Sequence, residues 1–143
     1  MTTNTAVPAH VLPHRPAVEL LRLARQGLEE AAVTRSDGLR YATAHLAALR
    51  AAAAVLAARA TPVPGRRSRM TSVWVLLSRV SPDLREWAAY FAAGAAKRAA
   101  AEAGIPRVVT AREADDLLRA AEQFTGVVEV ALGTAPQPVA ARA

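Results

Sequence analysis

The chain has 143 residues and a mass of 15.0 kDa, enough for one hydrophobic core and too little for two. Hydrophobic residues make up 52% but aromatic residues only 4%, and alanine supplies most of the difference, which favours closely packed helices over strands. The lack of cysteine excludes a disulfide framework, a thiolate zinc site and a cysteine nucleophile, while the net charge of +6 invites an anionic partner.

Residues 1–15 and 134–143 are rich in Pro, Thr and Ala without periodicity, so disordered tails are expected around one helical domain, residues 16–133. The first segment has no basic-then-apolar run, so it does not read as a secretory signal. Pro16 suits a helix start, and Leu20, Leu21, Ala24, Leu28 and Ala31 recur at helical spacing, predicting a helix over about 17–33. Ser36 or Asp37 can cap a second helix, in which Leu39, Ala42, Leu46, Leu49, Ala53, Leu56 and Ala60 form a heptad seam ending before Pro62. Thr61 to Arg69 reads as a surface loop. A short third helix carries Val73, Trp74, Leu76, Leu77 and Val80. Ser81-Pro82-Asp83 then marks a new start, and a fourth helix is predicted to run to about Ala103, with helices three and four as one kinked arm. Gly104 and Pro106 stop it, and Thr110 with Glu113 forms a capping box before a fifth helix with Leu117, Leu118, Ala121, Phe124, Val128 and Ala131 inward. No segment reads as a strand, so the expected fold is an all-α, four- to five-helix up-and-down bundle with disordered tails.

The longest wholly apolar run, Ala88 to Ala96, is short of the roughly 18 to 20 residues of a membrane span, so a cytoplasmic protein without membrane contact is expected. Glycine-rich phosphate loops, zinc-protease helices, nucleophile elbows and dinucleotide fingerprints are all missing from the sequence, so no metal and no small-molecule cofactor are expected. Glu113, Asp115 and Asp116 could attract a cation. Their capping-box and first-turn positions, with the pairs Arg112–Asp116 and Asp115–Arg119 at i,i+4, favour a structural role. His10 and His14 lie in the Pro-rich tail without further ligands nearby. Trp87 and Phe91 fall at core spacing and are assigned to packing.

Basic charge concentrates in residues 35–107, which carry twelve basic and four acidic side chains. Lys97 is the only lysine among 18 basic residues, an arginine bias that a GC-rich genome produces by default. Arg66, Arg67 and Arg69 are the densest basic spot and the candidate nucleic-acid contacts. The candidate catalytic pair is Arg40 and His45, although five residues turn a helix by about 140° and leave Tyr41 as the truer face-mate of His45.

Over roughly residues 17–132 the sequence resembles the HEPN superfamily (higher eukaryotes and prokaryotes nucleotide-binding), in particular a small actinobacterial branch. The resemblance rests on the Ala-rich helix Arg40 to Ala58, on Val73-Trp74-Val75-Leu76-Leu77 through Pro82-Asp83-Leu84 to Trp87-Ala88-Ala89-Tyr90-Phe91-Ala92, and on Ala111-Arg112-Glu113-Ala114-Asp115-Asp116. It implies a helical bundle that commonly dimerises and, in many relatives, a metal-independent endoribonuclease with an R-x4-6-H motif, which Arg40 and His45 match at x4. Tyr41 stands where catalytic relatives often have a polar residue, and their motif usually lies in a later helix. The favoured expectation is therefore an interaction module, a homodimer contacting RNA or an acidic partner through its basic middle. The alternative is a ribonuclease in which His45 is the general acid or base and Arg40 stabilises the phosphorane.

Overall fold

Pro16 holds an extended backbone (φ −66°, ψ 154°) and opens α1, Ala17–Ala32, in the computed structural model, which describes residues 5–8, 15–63 and 72–134. Ser36 accepts from the Leu39 amide and starts α2, Asp37–Arg59. Ser72 does the same for α3, Val73–Val80, through the Val75 amide. Ser81-Pro82 leads through a 3-10 turn, Pro82–Leu84, into α4, Arg85–Ala93. The predicted fourth helix does not run unbroken: Gly94 separates α4 from α5, Ala95–Glu102. The capping box at Thr110 and Glu113 is present and opens α6, Ala111–Ala131.

The expectation of no strand is corrected in one place. Thr5–Pro8 (β1) pairs in parallel with Ala60–Val63 (β2), Thr5 opposite Ala60, and Val7 is buried. Four residues of the segment read as a loose tail are thus anchored against the end of α2. Of the second expected tail, residues 134–143, Thr134 is held to α6, its amide and hydroxyl donating to the Glu129 carbonyl at 3.0 and 3.1 Å, and residues 135–143 lie outside the described residues.

Helix α2 is the centre of the bundle, contacted by α1, α3, α5 and α6. It is the one helix among the described residues long and apolar enough to cross a membrane by length and composition, and 61% of its most apolar window is buried inside the bundle. The predicted seam on α2 is met only in part: Ala42 and Leu56 are buried as expected, but the rest of the seam is not the buried face. Tyr41, Ala44, His45, Ala48, Ala51, Ala52 and Val55 are buried, whereas Leu46, Leu49 and Ala53 are only partly so and Leu39 is 55% exposed. The physical reason is close approach. A Cβ added at Gly27 would stand 3.2 Å from the Ala47 Cβ, so the α1–α2 contact admits alanine and leaves the bulkier leucines at the rim.

The other half of the core is aromatic. Phe91 packs on Trp74 and Phe124, each with ring centroids 5.3 Å away, and Trp87 lies 5.6 Å from Phe124. Arg59 ties the bundle's lower end, donating to the Ser81 hydroxyl and to the Ala131 carbonyl at 2.9 Å each. Arg25 joins α1 to α6 through two hydrogen bonds to the buried Glu129 carboxylate, at 3.0 and 2.6 Å.

Candidate functional site

Arg40 and His45 leave α2 in different directions, as a separation of about 140° on the helical wheel requires. Arg40 turns toward the N-terminus of α6. Its guanidinium donates to Asp115 Oδ1 at 3.0 Å, to Asp37 Oδ1 at 2.9 Å, and to the carbonyls of Thr34, Arg35 and Ala111 at 3.0, 3.0 and 3.4 Å. With its side chain 11% exposed, the arginine fastens the α1–α2 turn to α6 and has little donor capacity left.

His45 turns inward and is fully buried. Its Nε2–H donates to the Phe91 carbonyl at 2.8 Å, which fixes a tautomer with a bare Nδ1, and Nδ1 has no partner. The ring meets Trp74 and Phe91 edge-on at 5.8 and 6.1 Å and stacks with Tyr41 at 6.3 Å. Burial pushes its pKa below the ordinary value of 6.5, with the Phe91 hydrogen bond opposing and nearby Arg98 reinforcing that shift. A general acid or base must reach the proton it moves. Nδ1 faces protein, not solvent, so within one chain the two residues do not share a cleft.

On α5, Arg98 is near enough for its charge to act on His45. Its Nε is the second buried side-chain polar atom without a hydrogen bond among the described residues, 4.0 Å from Glu102. Gly94, one turn earlier, lets α5 approach α2: a Cβ there would collide with the Tyr41 hydroxyl and stand 3.5 Å from His45 Cδ2. Neither role carries a local signal in the sequence, because each depends on the partner helix.

The acidic group at the start of α6 is fully used. Glu113 closes the capping box and pairs with Lys97, and these contacts hold its carboxyl below the usual range. Asp116 pairs with Arg119 at 3.2 Å and with Arg112 at 3.9 Å. The expected Asp115–Arg119 pair is replaced by Asp115–Arg40, because a guanidinium delivered from α2 reaches Asp115 first.

The basic middle is divided by the fold. Arg40, Arg59 and Lys97 are tied to partners within the bundle, and Arg98 lies beside Glu102, whereas Arg35, Arg50, Arg79, Arg85 and Arg107 form no ion pair among the described residues. Arg66, Arg67 and Arg69, as well as His10 and His14, lie outside the described residues.

Two open features were not read as surfaces from the sequence, which placed Leu39, Leu46 and Ala53 in an inward seam. One is the outward stripe of α2, Leu39, Leu46, Arg50, Ala53 and Ala57, none of them buried. The other is a groove of about 440 Å³ lined by Asp83, Glu86, Trp87, Tyr90 and Ala120. The spacing of Asp83, Glu86, Trp87 and Tyr90 at i, i+3, i+4 and i+7 would have placed all four on one helical face. Trp87 therefore both packs, as expected, and lines a surface.

No curated protein and no solved structure matches the chain. The family model of SAV_6107-like HEPN proteins does match, over residues 31–129, from the end of α1 to the last turns of α6. That match spans more than half of the chain and agrees with the helical bundle around α2, so this chain belongs to the SAV_6107-like HEPN family.

Proposed function

We propose that this HEPN domain is a non-catalytic, cytoplasmic interaction module that works as a homodimer and meets RNA through its free arginines. The observation that carries this reading is the enclosure of His45: a fully buried imidazole bonded to the Phe91 carbonyl is built to hold α2 against α4. Arg40, with five hydrogen bonds of its own, is likewise a fastening. What supports pairing is the outward stripe of α2. Leu39 and Leu46 offer apolar surface that the chain's own core does not cover, the kind of patch that marks a contact. What supports an anionic partner is the set Arg35, Arg50, Arg79, Arg85 and Arg107, with Arg66, Arg67 and Arg69 as expected phosphate contacts.

The ribonuclease reading keeps one feature in its favour, the R-x4-H spacing of Arg40 and His45. It requires the contact between α2 and α4 to open so that His45 meets a ribose hydroxyl. A single experiment separates the two: purified protein incubated with mixed RNA in EDTA, read on a sequencing gel, alongside an electrophoretic shift of the same RNA. The module reading expects a salt-sensitive shift without cleavage. Cleavage that is lost in both Arg40→Ala and His45→Ala, with melting curves unchanged, overturns it in favour of the enzyme.

A further inference from the structure

The groove between α4 and α6 joins two kinds of surface. Its wall is aromatic: Tyr90 is 45% exposed and Trp87 half-buried, with Ala120 of α6 as a small residue opposite. The rings are fixed from behind. Trp87 stacks on Phe91 at 6.2 Å with planes 15° apart, and Tyr90 stands edge-on to Phe91 at 5.1 Å. A ligand arriving there meets preorganised rings that lose little freedom on binding. The rim is anionic, with Asp83 from the 3-10 turn and Glu86 from the first turn of α4, both exposed.

The position of these two acids near a helix start explains why they are tolerated there. It does not explain what neutralises them. Neither carboxylate forms an ion pair with a described residue, and the neighbouring Arg85 guanidinium donates to the Pro82 carbonyl. On the α6 side, Asp116 is held by Arg119 and Arg112, so the uncompensated charge of the groove is that of Asp83 and Glu86. The field also reaches the rings: desolvation and the Asp116 carboxylate together push the Tyr90 hydroxyl above its ordinary pKa.

Aromatic faces attract cations, and carboxylates beside them supply the opposite charge and hydrogen-bond acceptors. A guanidinium satisfies both at once, since it is planar enough to lie on an indole or phenol and forked enough to meet a carboxylate with two N–H groups. An ammonium does only half of this. We propose that the Asp83–Glu86–Trp87–Tyr90 groove is a docking site for an arginine side chain presented by a basic segment of a partner protein. The site goes beyond the module reading and depends on neither dimerisation nor RNA contact, because none of the residues that line it belongs to the outward stripe of α2 or to the unpaired arginines.

The test uses the full chain and two short peptides, acetyl-Gly-Arg-Gly-Arg-Gly-amide and its lysine counterpart, followed by NMR of the two indole N–H signals. Trp74 is buried and serves as an internal reference. The expected result is a saturable shift of the Trp87 indole with Trp74 unmoved, at least about threefold tighter for arginine than lysine, and weakened by salt. The isosteric double variant Asp83→Asn, Glu86→Gln should bind the arginine peptide at least about fivefold more weakly, and Tyr90→Ala should weaken it as well, each melting near wild type. Equal affinity in wild type and the double variant overturns the proposal. So does a Trp87 signal that ignores the arginine peptide up to about 10 mM, or that responds only to an RNA oligonucleotide. A monomeric protein, or one that fails to shift RNA, would sink the module reading while leaving this titration intact.

Discussion

A neutral imidazole sealed among Trp74, Phe91 and Tyr41 makes stability respond to mild acid. Burial holds the His45 pKa below 6.5 in the folded chain, while the unfolded chain takes up its proton near the ordinary value. Below about pH 6.5 the unfolded state therefore binds more protons, and this contribution, complete above that pH, is lost as the pH falls at up to about 1.4 kcal/mol per unit. Chemical denaturation of wild type and His45→Gln at pH 7.5 and 5.5 checks this, with a smaller difference expected for the glutamine variant because Gln takes up no proton, while its N–H can still serve the Phe91 carbonyl. The same spot makes a second prediction. Gly94→Ala at this junction drives a methyl into the Tyr41 hydroxyl, an overpacking cost of about 1 to 3 kcal/mol, so a loss is expected. Removing the hydroxyl relieves the collision, and Gly94→Ala should cost less, or stabilise, in a Tyr41→Phe background. Equal losses in both backgrounds would show that the glycine is needed for something other than this approach.

Between elements, polar pairs fasten what alanine packs. Arg25 on α1 offers a two-pronged grip to Glu129 on α6, and Glu129 is only 3% exposed. Arg25→Met leaves that carboxylate buried without a partner and should cost about 3 kcal/mol, whereas Arg25→Met with Glu129→Met should recover most of the loss. Thermal melts of the two single variants and the double close the cycle, and additive losses would remove the coupling. Helix starts in this chain were legible because their signals are local: Ser36 three residues before Leu39, Thr110 three before Glu113. The register of α2 was not. Alanine lies all around that helix and gives no contrast, so the leucines alone seemed to mark the seam, although of them only Leu56 is buried and Leu39, Leu46 and Leu49 sit at its rim. The break at Gly94 and the partners of Arg40 depend on residues from other helices, and Thr5 pairs with Ala60 across more than fifty residues. The candidate catalytic residues were found by spacing alone, and spacing along a helix says nothing about which neighbour each side chain will meet.

At the scale of the whole molecule, the unresolved balance is on the outside of α2. A helix of 23 residues is about 34 Å long, so a helix-wide contact along it covers only a few hundred Å², less than the roughly 800 Å² per partner of a standard interface. A stable dimer through this face therefore has to recruit the rims of the neighbouring helices. On α1 the partly exposed Leu23, between the buried Leu20 and Gly27, offers more apolar area of the same kind. Leu39 and Leu46 are the residues to change, because neither belongs to the chain's own core or is packed against it, while Leu49, Ala53 and Ala57 are. The double variant Leu39→Glu, Leu46→Glu should halve the mass seen by light scattering, from about twice 15.0 kDa to one, without unfolding the bundle. Mass action supplies an independent readout. If folding and pairing are linked, the wild-type melting temperature rises with protein concentration, and the variant melts at one temperature at every concentration. A wild type that is monomeric at about 500 μM, with a concentration-independent melt, would mean that α2 carries its outward leucines for some other contact.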